Sequence, residues 1–163
     1  MGFLPTSKLS LAIAIVSLSA VSGCSSIRPD WRDCSHLLSA PKEGMRSDLQ
    51  FSDGNAHQPV EARLNGVSAQ CHGDEDTIYM AVNAGLKVKR DLAKGAEVLR
   101  LQVPFLISLL DKDDKPYDLN SSGYRVAFPK NEDTLYPVAG FKLELKQGGR
   151  AVIALTPEAV DIN

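Results

Sequence analysis

The stretch TIYMAVNAGLKVK, residues 77–89, decides the fold class of this chain. Its even-numbered residues from Ile78 to Val88 are all apolar, whereas most of the odd-numbered residues are polar or small. Successive side chains of a strand point to opposite faces, which gives a period of two residues. An amphipathic helix would instead repeat its apolar residues about every 3.6 residues. The stretch therefore predicts a long β-strand with one buried face and one exposed face.

The same alternation recurs along the rest of the chain, for example on the odd-numbered residues from Leu99 to Leu109. Consecutive strands without a helix between them predict an all-β fold, a two-layer antiparallel β-sandwich of immunoglobulin-like type, with a small closed barrel as the alternative. Tyr136 is loosely similar in position to the tyrosine corner of immunoglobulin-type folds. We expect seven or eight strands, near residues 45–51, 60–71, 77–89, 98–110, 115–120, 123–129, 138–147 and 150–156.

Turn residues separate these strands. Residues 111–115 and 147–150 are each expected to form the tip of a hairpin, the second because Gly148 and Gly149 accept positive φ angles. The apolar phase shifts by one residue at Asn65-Gly66, which favours a β-bulge over a hairpin there. Pro104 has no backbone N–H to donate to a neighbouring strand, so it predicts a sheet edge, a bulge or a switch between sheets.

The amino terminus carries an export signal. Lys8 precedes an apolar run from Leu9 to Val21, which has the length of a signal-peptide core and is too short to span a membrane. The run Val21-Ser22-Gly23-Cys24 closes it and resembles the lipobox of bacterial lipoproteins. The resemblance implies that a diacylglycerol is attached to the sulfur of Cys24 and that the chain is cleaved before Cys24. The new amino group would then be acylated by a fatty acid such as palmitate. An ordinary secretory signal is the alternative.

This resemblance also implies an address and a division of the chain. Residues 1–23 would be the signal peptide, residues 24–33 a lipid-anchored tether, and residues 34–163 the β-sandwich domain. An Asp directly after the lipidated cysteine would resemble the inner-membrane retention signal of enteric bacteria. This chain has Ser25 at that position, so the lipobox resemblance implies the periplasmic side of the outer membrane.

Two cysteines remain once Cys24 is assigned to the lipid. An exported chain with an even remainder favours a disulfide between Cys34 and Cys71. Two free thiols, or a metal pair completed by His36 and His72, are the alternatives, although the spacing matches no recognised zinc motif.

Composition restricts the partners. A net charge of −2 argues against nucleic acid and provides no polybasic patch for anionic lipid. The acidic loop at residues 72–76 could hold a divalent cation or be a solvated loop between strands. The acids of residues 111–114 alternate with lysines, which favours a hairpin tip over a cation site. No cofactor is indicated.

From Cys34 onward, the layout resembles small envelope lipoproteins of alphaproteobacteria. The matching features are Cys34, Cys71, the run Val103-Pro104-Phe105-Leu106-Ile107 before Asp111, and Gly140-Phe141-Lys142-Leu143 followed by Gln147. Relatives of this kind often have an Arg-Gly-Pro turn where this chain has Leu92-Ala93-Lys94-Gly95. The resemblance implies an envelope lipoprotein without an assigned activity and gives no catalytic residue.

Leu106 and Leu110 are apolar on the face of their strand where Arg100, Gln102 and Ser108 are polar. A loop could cover them, or they could bind another envelope protein. We expect a non-enzymatic protein-binding module anchored by lipid, and a small-molecule or cation-binding periplasmic module is the alternative.

Overall fold

The computed structural model describes residues 29–53, 56–94 and 97–156. Within them the chain is almost entirely strand, interrupted by short 3₁₀ helices at Ser35–Leu37, Lys42–Gly44 and Leu92–Lys94. The strands of these residues are β1 (Arg32–Asp33), β2 (Leu38–Ser39), β3 (Arg46–Asp53), β4 (Ala56–Gly73), β5 (Thr77–Arg90), β6 (Leu99–Leu110), β7 (Pro116–Phe128), β8 (Thr134–Leu135), β9 (Val138–Lys146) and β10 (Arg150–Leu155).

Two separate sheets form the domain. In the first sheet β4 and β5 are central, β1 and β3 both pair with the outer edge of β4, and β8 and β9 both pair with that of β5. The second sheet has the order β2-β10-β6-β7. Every pairing is antiparallel except the short one between β2 and β10. The predicted all-β, two-layer sandwich is confirmed, with the sheets remaining distinct.

The alternation of the sequence places the core between the sheets. The even-numbered residues of β5 and the odd-numbered residues of β6 are buried from Met80 to Arg90 and from Leu99 to Leu109. Phe105 of the second sheet meets Phe141 of the first edge to face, with ring centroids 4.9 Å apart. Each large apolar side chain buried here contributes roughly 1.5–3 kcal/mol to folding, so the two alternating strands supply much of the driving force.

The predicted bulge lies where the sequence places it. The register between β4 and β5 shifts between Leu64 and Val67, and Gly66 has a φ of +117°. Glycine adopts this backbone conformation without the steric cost that a Cβ would bring. Because the bulge preserves the strand, β4 continues to Gly73 and carries Cys71 in the same strand as Ala62.

The two predicted hairpin tips differ in outcome. Residues 111–115 do join the paired strands β6 and β7, and the Asp111 amide donates to the Lys115 carbonyl at 2.9 Å. Residues 146–149 form a tight turn, with Gly148 at a φ of +73°, but β9 and β10 belong to opposite sheets. The hairpin prediction was therefore wrong there, because turn chemistry does not determine which strand the chain pairs with next.

Two further expectations are corrected by the structure. The strands predicted at 115–120 and 123–129 are one continuous strand, β7, because Gly123 pairs with Pro104 without interrupting the ladder. Tyr136 is 63% exposed, so it is not a buried tyrosine corner.

Pro104 lies inside β6, at the point where the ladder with β10 ends. The amide of Thr156 donates to the Pro104 carbonyl at 3.2 Å, but proline has no N–H to return the bond. The buried hydroxyl of Ser47 donates to the Thr156 carbonyl instead, at 2.6 Å. One hydroxyl from β3 thus satisfies the carbonyl opposite Pro104 and connects the two sheets.

Candidate functional site

The residue singled out for lipidation, Cys24, lies outside the described residues, as does the apolar run before it. Both therefore stay predictions. Within the described ranges, no helix has the length and apolar character needed to cross a membrane.

The first described residues already belong to the domain. Arg32 and Asp33, which were expected in the tether, pair with Cys71 and Gln70 of β4. The Asp33 carboxylate accepts hydrogen bonds from the Ser35 hydroxyl at 2.7 Å and the Ser35 amide at 3.1 Å, and these bonds lower the pKa of Asp33. The sheet therefore begins at Arg32, inside the segment that the sequence predicts to be a tether.

The predicted disulfide between Cys34 and Cys71 is present. Its Cα atoms are 5.8 Å apart, and Cys34 is 4% exposed. The Cys34 amide also donates to the Ala69 carbonyl at 3.0 Å. Because both sulfurs are bonded to each other, a metal site using them with His36 and His72 is excluded. A covalent bond and a backbone hydrogen bond together join the entry segment to β4.

The acidic loop at residues 72–76 is a structured turn. The Oδ1 atom of Asp74 accepts hydrogen bonds from the amides of Thr77 at 2.9 Å and Asp76 at 3.1 Å, and these bonds lower the pKa of Asp74. Gln147 holds the loop from the other side, because its Nε2 donates to the Asp74 carbonyl at 2.9 Å.

The Asp111 carboxylate has the same role in the other acidic loop. It accepts hydrogen bonds from the amides of Lys115 and Asp113, and these bonds lower the pKa of Asp111. Across the described part of the chain, no group of three or more His, Cys, Asp or Glu side chains is arranged to hold a metal ion. The backbone hydrogen bonds that Asp74 and Asp111 accept favour the solvated-turn interpretation of both loops.

Leu106 and Leu110 lie on the outer face of the second sheet and are half-buried. Ser121 and Ala154 flank Leu106, while Arg150 and Pro116 flank Leu110. Between these rows, Ser108 lies opposite the 63%-exposed Leu119 on one side and Val152 on the other. We call Leu106, Leu110, Leu119 and Val152 the apolar patch.

The structure brings together a second surface that the sequence pattern does not predict. His72 and Tyr79 are paired across β4 and β5, and their rings stack with centroids 5.1 Å apart and planes 19° apart. Trp31 packs edge-on against His72 at 4.3 Å. Trp31, His72 and Tyr79 form what we call the aromatic row, on the outer face of the first sheet. The sequence signal was Tyr79 itself, an aromatic residue on a face of its strand whose other residues are polar or small.

The sequence pattern also does not predict the buried position of Arg90. It continues the inward, even-numbered phase of β5 and is 2% exposed. Its guanidinium donates to three backbone carbonyls, those of Glu132 at 2.7 Å, Glu97 at 2.5 Å and Pro129 at 2.8 Å, and lies 5.0 Å from the Phe128 ring. The side chain thus joins two loops at one end of the sandwich, which makes it structural.

An open groove of about 710 Å³ lies beside this end of the first sheet. Its lining carries both signs of charge, and Arg46 bridges the carboxylates of Asp48 and Glu61, each at 3.1 Å. Paired surface charges of this kind are typical of a solvated face.

Comparison of the chain with protein-family models, with curated proteins and with solved structures finds no match.

Proposed function

We propose that this chain is a lipid-anchored envelope protein, held by Cys24 on the periplasmic side of the outer membrane. In this proposal it is a non-enzymatic module that binds another envelope protein. The amino-terminal run ending in Val21-Ser22-Gly23-Cys24 supports the anchor. The protein would act by holding its partner at a fixed height above the bilayer.

The observation that carries the proposal is the disulfide between Cys34 and Cys71. Disulfides persist in oxidising compartments such as the periplasm and are rare in the cytosol. The bridge therefore supports export of the chain, which is what an apolar leader ending at Cys24 accomplishes. It also begins ten residues after Cys24, so the anchored segment leads directly into a crosslinked domain.

Replacing Cys24 by alanine is expected to abolish incorporation of radiolabelled palmitate, because the sulfur that starts the lipid modification is removed. The double variant Cys34→Ala/Cys71→Ala is the matched control, since it removes two thiols and leaves Cys24 in place. It should label as strongly as the natural chain. Palmitate labelling that persists in the Cys24→Ala variant would contradict the anchor.

The apolar patch is the surface that favours a protein partner. Leu119 is the most exposed of its residues, and Leu106 and Leu110 extend the apolar surface beside it. Contact with a partner would remove this area from water, which stabilises a complex by roughly 25 cal/mol for each Å² of apolar surface buried.

A photo-crosslinking amino acid at position 119 is expected to give adducts with another envelope protein in intact cells. The same amino acid at position 83 is the control, because Asn83 is exposed on the outer face of the opposite sheet. Adducts of equal yield at both positions, or none at position 119, would mean that the patch does not bind a partner.

A further inference from the structure

The aromatic row crosses the first sheet at the place where the chain enters the domain. Trp31 directly precedes Arg32, which pairs with Cys71, so the tryptophan lies beside His72. Tyr79 follows on β5 and is paired in turn with Glu144 on β9. A cavity of about 220 Å³ lies next to the rings, with Lys142 and Glu144 in its lining.

The rings of this row remain open to solvent. Trp31 is 40% exposed and Tyr79 is 36% exposed, and the stacked His72 between them holds both rings on the outer face. Tryptophan and tyrosine combine an apolar ring with a polar N–H or O–H group, and both are enriched where proteins meet the headgroup region of a bilayer. The chemistry of the row thus suits a surface that is partly apolar and partly hydrated.

The tether limits how far the row can be from the membrane. Trp31 follows Cys24 by seven residues, and a chain of that length spans at most about 25 Å when fully extended. Tyr136 provides a contrast on the same sheet. It follows Leu135, which pairs with Val88, and Val88 lies nine positions after Tyr79 in β5, or about 30 Å along the strand.

The charges beside the row carry both signs. Arg32 is paired with Asp30 at 2.7 Å, and Lys142 and Glu144 line the same cavity. The acids of residues 74–76 lie in the adjoining loop. The acids outnumber the bases among these residues, so the negative potential of anionic lipids, which attracts clusters of Lys and Arg, does not draw this surface to the bilayer. This favours zwitterionic headgroups as the contact.

We propose that the aromatic row seats the domain on the bilayer, with Trp31 and Tyr79 in the headgroup region of zwitterionic phospholipids. This inference rests on the proposed lipid anchor at Cys24. It goes further, because it fixes the orientation of the domain: the row faces the membrane, and the end of the sheet that bears Tyr136 points away from it.

The test uses the full chain, purified from bacterial membranes and reconstituted into phosphatidylcholine vesicles. Trp31 is the one tryptophan in the sequence, so intrinsic emission reports on the row alone. Lipids brominated near the headgroup should remove about half of this emission, as expected for a tryptophan in the interface. Replacing about a third of the lipid by anionic phosphatidylglycerol would strengthen the binding of a polybasic surface. For the aromatic row it should leave the quenching unchanged.

The matched control moves the tryptophan. In the double variant Trp31→Phe/Tyr136→Trp, the single indole lies about 30 Å away along the same face, and its emission should resist brominated lipid. Equal quenching at position 136, or no quenching at position 31, would overturn the inference. Emission from Trp31 that shifts with purified peptidoglycan and not with vesicles would overturn it in favour of a glycan site.

Mass spectrometry of the amino-terminal fragment separates this inference from the function on which it rests. Acylated protein with quenched Trp31 supports both. Acylated protein with unquenched Trp31 refutes the seating surface and leaves the anchor intact. A fragment without fatty acid refutes the anchor, and the seating surface with it.

Discussion

Replacing Arg90 by methionine is expected to lower the free energy of unfolding by about 3–5 kcal/mol. Methionine has a similar length and no hydrogen-bond donor. The carbonyls of Glu97, Pro129 and Glu132 would each lose a charged donor, at one end of the sandwich where Arg90 itself is 2% exposed. Urea denaturation followed by circular dichroism measures the change.

Two variants show whether the carbonyls are the cause. Lys89→Met is the matched control, because Lys89 is the preceding residue of the same strand and is exposed, and its loss should change stability little. Arg90→Lys keeps the charge but cannot reproduce the planar fork of donors that reaches three separate carbonyls, so it should lie between the natural chain and Arg90→Met. Equal denaturation midpoints for Arg90→Met and Lys89→Met would show that Arg90 does not stabilise this end.

Removing the disulfide is expected to lower stability by about 3–4 kcal/mol in the double variant Cys34→Ala/Cys71→Ala. The bridge closes a segment of 37 residues, so its loss increases the conformational freedom of the unfolded chain. Alanine at both positions avoids leaving a polar group at the buried position 34. Thermal or urea unfolding under identical conditions measures the difference.

A reducing agent provides the internal control for this experiment. It should shift the unfolding midpoint of the natural chain to that of the double variant, and it should leave the double variant unchanged. A natural chain whose midpoint does not move on full reduction would mean that the hydrogen bond from Cys34 to Ala69 holds the entry segment without the sulfurs.

Patterns of local origin were read correctly from the sequence. The alternation of residues 77–89 requires only that one face of a strand be buried, and the structure buries that face from Met80 to Val88. The phase shift at Asn65-Gly66 is likewise local, because a bulge changes the register of one strand at a glycine with positive φ. Such features follow from the chain alone.

Features that depend on distant partners were not read from the sequence. The turn at residues 147–149 has hairpin chemistry, yet the strands that it joins lie in opposite sheets, since pairing with β5 and β6 determines their places. The aromatic row was missed for the same reason. Trp31 reaches His72 only because Arg32 pairs with Cys71, some 40 residues further along the chain.

The short ladder of β1 ahead of Cys34 has a mechanical consequence. A pull on the amino-terminal segment can peel away only Arg32 and Asp33 before the load reaches a covalent bond to β4. Beyond that bond, force enters β4 at Cys71, which stays paired with Met80 of β5, while β3 pairs with β4 further along, from Ala56 to Arg63. Tension on the amino-terminal segment would therefore reach the central strands of the first sheet through a covalent bond, and not through the two pairs of β1 alone.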